Sequence, residues 1–334
     1  MNENKINSHI VGMGYYAPEN IIDNEYFTQF MDTSDEWITE RTGIKQRRFA
    51  NTGQGPADIS IPAVEMALKN AQLTVNDIDF IIFATSTPDY YIPGSGCILQ
   101  EKMNFPTIGA LDIRNACSGF IYAISIADQF IKNKTYKNIL VVTAEVQSTA
   151  MNLTNTGRDT SVIFADGAAA TILSATQQDE GILSTHLHSE GKYLKELWVE
   201  APSSKANPKL SQEIIDQEKH YLKMNGREVF KHAVKRFPEV IIEGLKHNNL
   251  DLNDIDLLIP HQANVRISKM IQKKLGLKDH QVISNIHKYG NTTAASIPIA
   301  LCETINNDKL CKGDTLVLAA FGSGFSWGSA ILKW

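Results

Sequence analysis

The chain has 334 residues, of which 43% are hydrophobic and 21% are charged, values close to those of an ordinary folded protein. This length predicts about two domains or one large duplicated domain, and the composition excludes a disordered or low-complexity protein. Thirty-two Lys and Arg residues against 37 Asp and Glu residues give a formal net charge of -5, which argues against a dedicated nucleic-acid-binding protein.

The cysteines and the apolar segments indicate the cellular compartment of the protein. Cys97, Cys117, Cys302 and Cys311 form no CxxC pair, so the sequence predicts neither a zinc site nor a disulfide framework and fits a reducing cytosol. No apolar run approaches the ~18 residues of a membrane-spanning helix, and the N-terminus lacks the basic and apolar regions of a signal peptide. We therefore expect a cytoplasmic protein with neither membrane nor nucleic acid among its partners.

The first predicted element is a strand over Ser8–Met13, which carries part of a pattern like that of a dinucleotide-binding turn. Gly12 and Gly14 are soon followed by Pro18 rather than by a helix, and the chain has no GxxxxGK[ST] phosphate-binding loop. The glycines therefore do not predict a nucleotide cofactor.

The two halves of the chain share a sequence pattern. Leu73–Ile82 and Leu250–Ile259 are identical at six of ten positions, and each follows a helix-like stretch and ends in the apolar run of a buried strand. Two more pairs share a single sequence offset: Asn115–Ile121 with Asn291–Ile297, and Leu140–Val141 with Leu316–Val317. That offset aligns Thr293 with Cys117. The pattern predicts a duplicated α/β protein with a boundary near residue 177; chance similarity is the alternative.

Cys117 is the first candidate for chemistry. It lies between a predicted strand over Ile108–Ile113 and a predicted helix over Phe120–Ile131. At a helix N-terminus, the dipole and the free amides favour a thiolate, and the backbone N–H of the cysteine is a candidate oxyanion donor. The alternative is a small cysteine buried in the core.

Glu190–Lys219 and Phe321–Phe325 are the next two notable segments. The first is long, polar and contains two prolines, so it predicts a surface loop of a kind that is often functional or mobile. The second joins two strand-like runs, Thr315–Ala320 and Ser329–Leu332, and predicts a tight turn with exposed amides.

Two polar residues of the second half are further candidates. His261 directly follows the strand-like run Asp256–Pro260, and the ends of buried strands in α/β folds commonly line active sites. The repeat aligns His261 with Ala84, so one copy alone carries an ionisable group; a structural histidine is the alternative. Asn291 lies before a predicted helix, where it is either a simple cap or, through the repeat, a neighbour of the cysteine-bearing helix end.

Six motifs in the chain carry a family resemblance. They are Asp35–Ile44 (DEWITERTGI), Ala116–Phe120 (ACSGF), Met224–Phe230 (MNGREVF), Pro260–Asn264 (PHQAN), Tyr289–Thr293 (YGNTT) and Phe321–Gly328 (FGSGFSWG). Over essentially its whole length the chain resembles the β-ketoacyl-acyl-carrier-protein synthase III family of the thiolase superfamily. The resemblance implies a thiolase-like, duplicated α/β fold in five layers, α/β/α/β/α. Residues 1–176 would form the half with the nucleophilic cysteine, and residues 177–334 the half with the His/Asn pair.

The resemblance implies a decarboxylating condensation that initiates fatty-acid synthesis. Cys117 would attack an acyl-CoA thioester and hold the acyl group, after which malonyl-acyl-carrier protein would bind and lose carbon dioxide. His261 and Asn291 would stabilise the resulting enolate, and the backbone N–H groups of Cys117 and Ser323 would stabilise the tetrahedral oxyanion. Acyl-CoA and malonyl-acyl-carrier protein are the implied substrates, with no metal or redox cofactor.

The resemblance also implies a coenzyme A site. Trp37 and Arg41 are expected to contact the adenine end of coenzyme A, where Trp37 would stack on the base. Arg158 lies where the family binds the nucleotide, and Asn264 corresponds to a position that helps orient the catalytic groups.

A carrier-protein surface is expected on the amphipathic segment Val265–Leu275 and on a neighbouring basic segment. Lys231, Arg266 and Lys274 are its foremost residues, because carrier proteins are acidic and a basic face would steer them. A solvated helix face is the alternative.

Two positions depart from the family's usual pattern. The frequent Gly-Gly-Gly turn is Gly322-Ser323-Gly324 here, which keeps a backbone N–H at Ser323. Ile92 stands where family members often have a phenylalanine that limits the acyl-primer pocket, so the sequence predicts a larger pocket. The resemblance suggests a homodimer in which one subunit supplies this segment to the pocket of its partner.

Other functions stay open at this point. A related condensing or acyl-transfer enzyme of specialised metabolism would use the same three residues on another acyl chain or acceptor. A non-catalytic partner of a condensing heterodimer typically lacks the nucleophile, which this chain retains. A simple thioester hydrolase would not need a malonyl-activating His/Asn pair.

Overall fold

The computed structural model describes residues 6–334, in which strands alternate with helices. The strands are β1 (Asn7–Tyr16), β2 (Asn20–Asp23), β3 (Gln46–Phe49), β4 (Phe80–Ala84), β5 (Gly109–Ile113), β6 (Asn138–Glu145), β7 (Gly167–Thr176), β8 (Gly181–Ser189), β9 (Leu197–Val199), β10 (Leu222–Met224), β11 (Leu257–Pro260), β12 (Thr315–Gly322) and β13 (Ser326–Lys333). The helices are α1 (Glu25–Thr28), α2 (Asp35–Thr42), α3 (Pro56–Ala71), α4 (Ser95–Lys102), α5 (Gly119–Lys132), α6 (Arg158–Ser161), α7 (Gln212–Asp216), α8 (Gly226–His247), α9 (Val265–Leu275), α10 (Ile286–Tyr289) and α11 (Ser296–Asn306). Within the described range, no helix combines the length and the apolar character needed to cross a membrane.

Two sheets form the centre of the fold, and their topologies correspond. The first sheet has the order β1-β7-β6-β4-β5, and the second has the order β8-β13-β12-β11. In each sheet, two antiparallel pairings are followed by a parallel one. The duplicated α/β fold is therefore confirmed. The first sheet ends in sequence at Thr176 and the second begins at Gly181, while the division into residues 1–176 and 177–334 stays a prediction.

The helices pack in three layers around these sheets. Helices α5 and α11 lie between the sheets in one hydrophobic core, whose inward-facing strand residues include Ile82, Val141, Ile259, Leu316 and Leu318. Helices α3 and α4 cover the outer face of the first sheet, and α8 and α9 cover the outer face of the second. Because both faces of both sheets are covered, the central strands are apolar throughout. The five-layer arrangement is confirmed.

Equivalent strand positions of the two halves follow one constant offset. Phe80 pairs with Ile139 between β4 and β6, and Leu257 pairs with Leu316 between β11 and β12. Phe80 thus corresponds to Leu257, and Ile139 corresponds to Leu316. By the same alignment Leu140 corresponds to Val317, one position beyond the partner that the sequence comparison assigned to it.

The same offset holds at the helix starts, where it corrects the predicted alignment of Cys117. Short 3₁₀ turns at 116–118 and 293–295 lead into α5 and α11. Ala116 and Thr293 both have the positive φ values of the left-handed region, 42° and 52°. Cys117 thus corresponds to Ala294, and its predicted alignment with Thr293 is wrong by one position. The sequence comparison aligned Asn115 with Asn291 because their residue types match, whereas the equivalent backbone conformations align Ala116 with Thr293.

The two glycines of β1 allow close packing of this strand on α3. A Cβ atom at Gly12 would overlap the carbonyl oxygen of Ala67, and one at Gly14 would overlap that of Ala63. Because alternate residues of a strand face the same side, both glycines lie on one face of β1, and that face lies directly on the helix backbone.

The segment Glu190–Lys219 is more structured than the sequence predicted. It contains a 3₁₀ helix at 191–196, strand β9 and helix α7, and β9 pairs with β10 beyond the segment. Leu197 is buried in the core that α8 and α9 share. The segment is largely exposed and residues 200–211 form neither helix nor strand, as expected for a surface loop. The short elements and the buried side chain of Leu197 are what the polar composition did not predict.

Replacing Gly14 with alanine is expected to lower the free energy of unfolding by roughly 1–3 kcal/mol, because the added methyl group forces α3 away from β1. Urea unfolding followed by circular dichroism would measure this change. Gly191→Ala is the matched control, since a Cβ at Gly191 meets no atom within 4 Å. Equal stability of both variants would contradict the packing role of Gly14.

Candidate active site

Cys117 lies in the 3₁₀ turn that leads into α5 and is buried. The end of β12 packs directly against it: a Cβ atom at Gly322 would lie 2.7 Å from the Cys117 Cβ atom and 3.2 Å from its Sγ atom. The glycine at the end of this strand is therefore required by the close approach of the backbone to the cysteine.

The electrostatic environment of Cys117 differs from the sequence-based expectation. Burial raises the pKa of the thiol to about 12, and the charge of Glu145 raises it as well, whereas a backbone hydrogen bond lowers it. The expected thiolate is not favoured in the unliganded protein, because the loss of solvation outweighs the helix N-terminus. The thiol therefore has to lose its proton as it attacks.

His261 directly follows β11 and is 2% exposed. Its Nδ1 atom lies 2.6 Å from the Ser296 hydroxyl oxygen, which also accepts a hydrogen bond from the Gln262 N–H at 3.2 Å. Since the Ser296 hydroxyl group has no other acceptor among the described residues, its proton is assigned to the bond with Nδ1, which places the ring proton on Nε2. Among the described residues Nε2 has no hydrogen-bond partner. Burial lowers the pKa of His261 to about 3, so the ring is a neutral N–H donor at neutral pH.

Asn291 is buried before the 3₁₀ turn that leads into α11. Its backbone N–H donates to the carbonyl oxygen of Ile163 at 3.0 Å, and its own carbonyl oxygen accepts from Ala165 at 3.0 Å. The side-chain Oδ1 atom accepts from the Thr293 N–H at 2.9 Å. The cap position of this 3₁₀ turn is occupied by Thr292, so the interpretation of Asn291 as a simple helix cap is wrong. The hydrogen bond to Thr293 turns the Asn291 amide group so that Nδ2 stays available as a donor.

The two helix starts bring these three side chains into one region. A Cβ atom at Gly119, where α5 begins, would lie 3.1 Å from the Cβ atom of Ala294. His261 is hydrogen-bonded to Ser296, the first residue of α11, and Asn291 accepts a hydrogen bond from Thr293 in the turn before it. The predicted triad therefore gathers where α5 and α11 meet.

A cavity of about 1190 Å³ opens onto Cys117. Its wall combines Ser323 and Thr293 with the segment 86–91 and with residues 197–202 of the structured insertion. His261 and Asn291 do not line it. The cavity wall therefore includes Cys117 but neither residue of the His/Asn pair.

Ser323 lies in the predicted turn between β12 and β13 and lines the cavity together with Cys117. Its hydroxyl group donates a hydrogen bond to the carbonyl oxygen of Leu197. The side chain is therefore held against the insertion, while the backbone of the turn remains beside the cysteine.

Trp37, Arg41 and Arg158 form one cluster outside the cavity. The guanidinium carbon atoms of Arg41 and Arg158 lie 4.3 and 4.6 Å from the centroid of the Trp37 ring. Asn264 donates from Nδ2 to the Arg41 carbonyl oxygen at 2.9 Å and caps α9 by accepting from the Arg266 N–H. The structure thus assembles all four residues predicted for the coenzyme A site, with Asn264 in a connecting role.

The remaining predicted residues lie on the surface. Ile92 is 80% exposed and does not line the cavity of its own chain. Lys231 pairs with Glu228 at 3.1 Å, Lys274 donates to a carbonyl oxygen of α8 at 2.9 Å, and Arg266 is exposed. The three basic residues lie on α8 and α9, which pack against each other.

Sequence reasoning missed three contributors to the site. Ser296 orients the His261 ring, and Glu145 is buried close enough to act on Cys117. His220 lines the cavity from the chain just beyond the insertion, and its Nδ1 atom is buried with no partner in the described residues. The sequence repeat signalled none of the three, because the alignment of Ser296 with Gly119 at the helix start follows only from the backbone conformation.

Comparisons with known proteins agree with this arrangement. A family model described as 3-oxoacyl-[acyl-carrier-protein] synthase III matches residues 111–191, and the model of the C-terminal part of that family matches residues 245–334. The β-ketoacyl-[acyl-carrier-protein] synthase III of Clostridioides difficile is 45% identical over 325 residues, which cover 97% of this chain and 98% of that protein. The enzyme of the same name from Caldanaerobacter subterraneus is 42% identical over 330 residues, which cover 99% and 98%.

The fold comparison leads to the same family. The crystal structure of 3-oxoacyl-[acyl-carrier-protein] synthase III from Aquifex aeolicus matches with a TM-score of 0.90 at 39% sequence identity. The match covers 98% of this chain and 100% of that one. The chain therefore belongs to the 3-oxoacyl-acyl-carrier-protein synthase III family, also called the β-ketoacyl-acyl-carrier-protein synthase III family, of condensing enzymes with the thiolase fold.

Proposed function

We propose that this protein condenses an acyl-CoA primer with malonyl-acyl-carrier protein and thereby starts fatty-acid synthesis. The observation that carries the proposal is the neutral, buried His261, whose Nε2 atom has no partner among the described residues and whose Nδ1 atom is hydrogen-bonded to Ser296, at the start of the helix that Asn291 precedes. A thioester hydrolase has no use for such a pair of donors, whereas an enolate requires them. The chemistry needs no metal or redox cofactor, and we place it in the cytoplasm, where cysteine thiols stay reduced.

The first half-reaction transfers the acyl group to Cys117. The Sγ atom attacks the carbonyl carbon of the acyl-CoA thioester, the thiol proton is lost, and the thiol of coenzyme A leaves. The oxyanion formed in this step is held by the backbone N–H groups of Cys117 and Ser323. The acyl chain then occupies the cavity beside Cys117.

The second half-reaction forms the carbon–carbon bond. Malonyl-acyl-carrier protein loses carbon dioxide, and negative charge moves to its thioester oxygen, where the His261 Nε2–H and the Asn291 Nδ2–H stabilise it. The enolate carbon attacks the acyl carbonyl, and the Cys117 sulfur leaves. A neutral histidine suits this role, because it donates a hydrogen bond without releasing a proton to the enolate.

Substrate delivery uses the surface groups around this centre. Trp37, Arg41 and Arg158 offer an aromatic face and two cations to the nucleotide end of coenzyme A, and Asn264 holds the Arg41 backbone in place.

The acidic carrier protein docks on the basic face formed by Lys231, Arg266 and Lys274 on α8 and α9. Lys274 donates to a backbone carbonyl oxygen of α8, and this bond holds the two helices of the face against each other.

The protein acts as a homodimer in which Ile92 enters the cavity of the partner subunit. Strand β5 is an edge of the first sheet, and an isoleucine that is 80% exposed next to two exposed tyrosines, Tyr90 and Tyr91, favours such an interface. Both tyrosines line the open side of the cavity in their own chain.

Replacing Cys117 with serine is expected to abolish both acylation and condensation, because a hydroxyl group lacks the nucleophilicity of sulfur. Intact-protein mass spectrometry after incubation with an acyl-CoA would detect the missing acyl group. Cys311→Ser is the matched control, since Cys311 is exposed and lies outside the cavity. Acyl transfer to Cys97, Cys302 or Cys311 instead would contradict the assignment.

His261→Ala and Asn291→Ala are each expected to slow carbon dioxide release on the order of 10²–10³-fold, as the loss of an oxyanion donor typically does. Single-turnover acylation of Cys117 should change far less, because the pair acts after that step. The two steps are measured separately, with His280→Ala as a control for an exposed histidine outside this cavity. Equal losses in both steps would reject the proposed division of roles.

The wild type is expected to accept medium-length or branched primers as well as acetyl-CoA. Ile92→Phe should shift the preference toward acetyl-CoA by roughly 1–3 kcal/mol, because an overfilled pocket penalises longer chains. The measurement compares kcat/KM across a panel of acyl-CoA primers. Ile21→Phe is the control, since Ile21 is also exposed but lies on β2. A strict acetyl preference of the wild type, or an unchanged profile in Ile92→Phe, would contradict the prediction.

A further inference from the structure

Glu145, the last residue of β6, is a fully buried carboxylate that is satisfied by neutral donors alone. Ser86 donates from its backbone N–H at 3.1 Å and from its hydroxyl group at 2.8 Å. The Thr87 hydroxyl group donates at 2.9 Å and the Gln147 amide at 3.2 Å. Glu145 has no ion-pair partner within residues 6–334, and burial raises its pKa to about 7. Above neutral pH the interior therefore holds an anion without a countercharge.

The duplication gives this carboxylate a definite counterpart in the other half. Glu145 ends β6 as Gly322 ends β12, at the equivalent position of the second copy. Gly322 lies against Cys117, where its missing side chain leaves room beside the nucleophile. In the other copy, the backbone N–H of Ala294, the counterpart of Cys117, acts on Glu145 and lowers the pKa of its carboxyl group. The start of α5 thus faces Gly322, whereas the carboxylate of Glu145 occupies the equivalent space at the start of α11.

A short chain of hydrogen bonds connects this carboxylate to the proposed enolate site. The Gln147 amide group donates to Glu145 at 3.2 Å and to the Thr293 hydroxyl oxygen at 3.1 Å. The Thr293 N–H in turn donates to the side-chain oxygen of Asn291 at 2.9 Å. Glu145 is therefore linked to the turn at 293–295 through Gln147.

We infer that Glu145 is a positioning residue of the condensation site. Its carboxylate occupies the space beside the start of α11. The equivalent space, beside Cys117 at the start of α5, is the one that a substrate oxygen would enter. The carboxylate thereby fixes the turn that orients the Asn291 amide. This inference rests on the proposed function. After burial, which is the larger cause, the charge of Glu145 also raises the pKa of Cys117, because a nearby anion opposes formation of a thiolate.

Glu145→Gln tests both the positioning of Asn291 and the effect of the charge on Cys117. It removes the charge at nearly constant side-chain volume. It also places an amide N–H₂ group among Ser86, Thr87 and Gln147, which are themselves hydrogen-bond donors. Carbon dioxide release from malonyl-acyl-carrier protein should fall on the order of 10²-fold, as a misplaced catalytic group typically causes. Single-turnover acylation of Cys117 should be retained. Thermal melts of each variant would establish that it is folded.

Asp128→Asn is the matched control, since Asp128 is another buried carboxylate but lies far along α5, where it accepts from Ser8 and pairs with Lys132. It should lower stability without changing the ratio of the two rates. Equal losses of both rates in Glu145→Gln, or the same change of ratio in Asp128→Asn, would overturn the positioning role.

Alkylation of Cys117 by iodoacetamide provides a readout that needs no substrate. At any pH between about 8 and 10, Glu145→Gln should react severalfold faster than the wild type, because loss of a nearby anion raises the thiolate fraction. An unchanged rate would overturn the electrostatic part of the inference. If the wild type released no carbon dioxide, the proposed function would fail while this measurement still decided the effect of Glu145 on Cys117.

Glu145→Gly gives the end of β6 the residue that Gly322 supplies at the end of β12, and the vacated space should then bind a small carboxylate. Formate is expected to restore carbon dioxide release saturably, while chloride at the same ionic strength should not. A folded Glu145→Gly variant that formate fails to rescue would overturn the inference that a carboxylate in this space orients Asn291.

Discussion

The close approach of two helix N-termini is the constraint on which the site depends. Helices α5 and α11 begin beside each other between the two sheets, and this contact leaves space for small residues alone. A side chain at Gly119 would meet Ala294 at 3.1 Å and Ala84 at 3.3 Å. A larger residue at any of these positions would separate the turn that carries Cys117 from the turn that Asn291 precedes. The five-layered core supplies the rigidity that keeps the two starts together.

Burial determines the charge state of each group at this centre. The pKa of Cys117 is raised to about 12, that of His261 is lowered to about 3 and that of Glu145 is raised to about 7, each mainly by loss of solvation. The resting site therefore holds a thiol and a neutral imidazole. Such a site stabilises charge that appears during the reaction through oriented N–H groups, which cost no reorganisation at that moment.

The two copies of the fold have acquired different tasks at equivalent positions. His261 stands where the first half has Ala84, Gly322 stands where it has Glu145, and Cys117 stands where the second half has Ala294. The start of α5 thus carries the nucleophile beside an open space. At the start of α11, the Glu145 side chain fills the equivalent space and holds the turn rigid. The segment Glu190–Lys219 adds a further asymmetry, because it builds one wall of the cavity next to Cys117.

The sequence by itself determined the family, the duplicated α/β architecture and the catalytic candidates, because strand and helix periodicity and short motifs are local properties of a chain. Cys117, His261 and Asn291 were each identified from their place at the end of a strand or the start of a helix. Tertiary structure alone decided the rest. The correct alignment of the two helix starts depends on backbone conformation at Ala116 and Thr293, which residue identity does not encode. The protonated thiol, the tautomer of His261 and the role of Glu145 depend on burial and on partners distant in the chain, which become fixed when the two halves pack together.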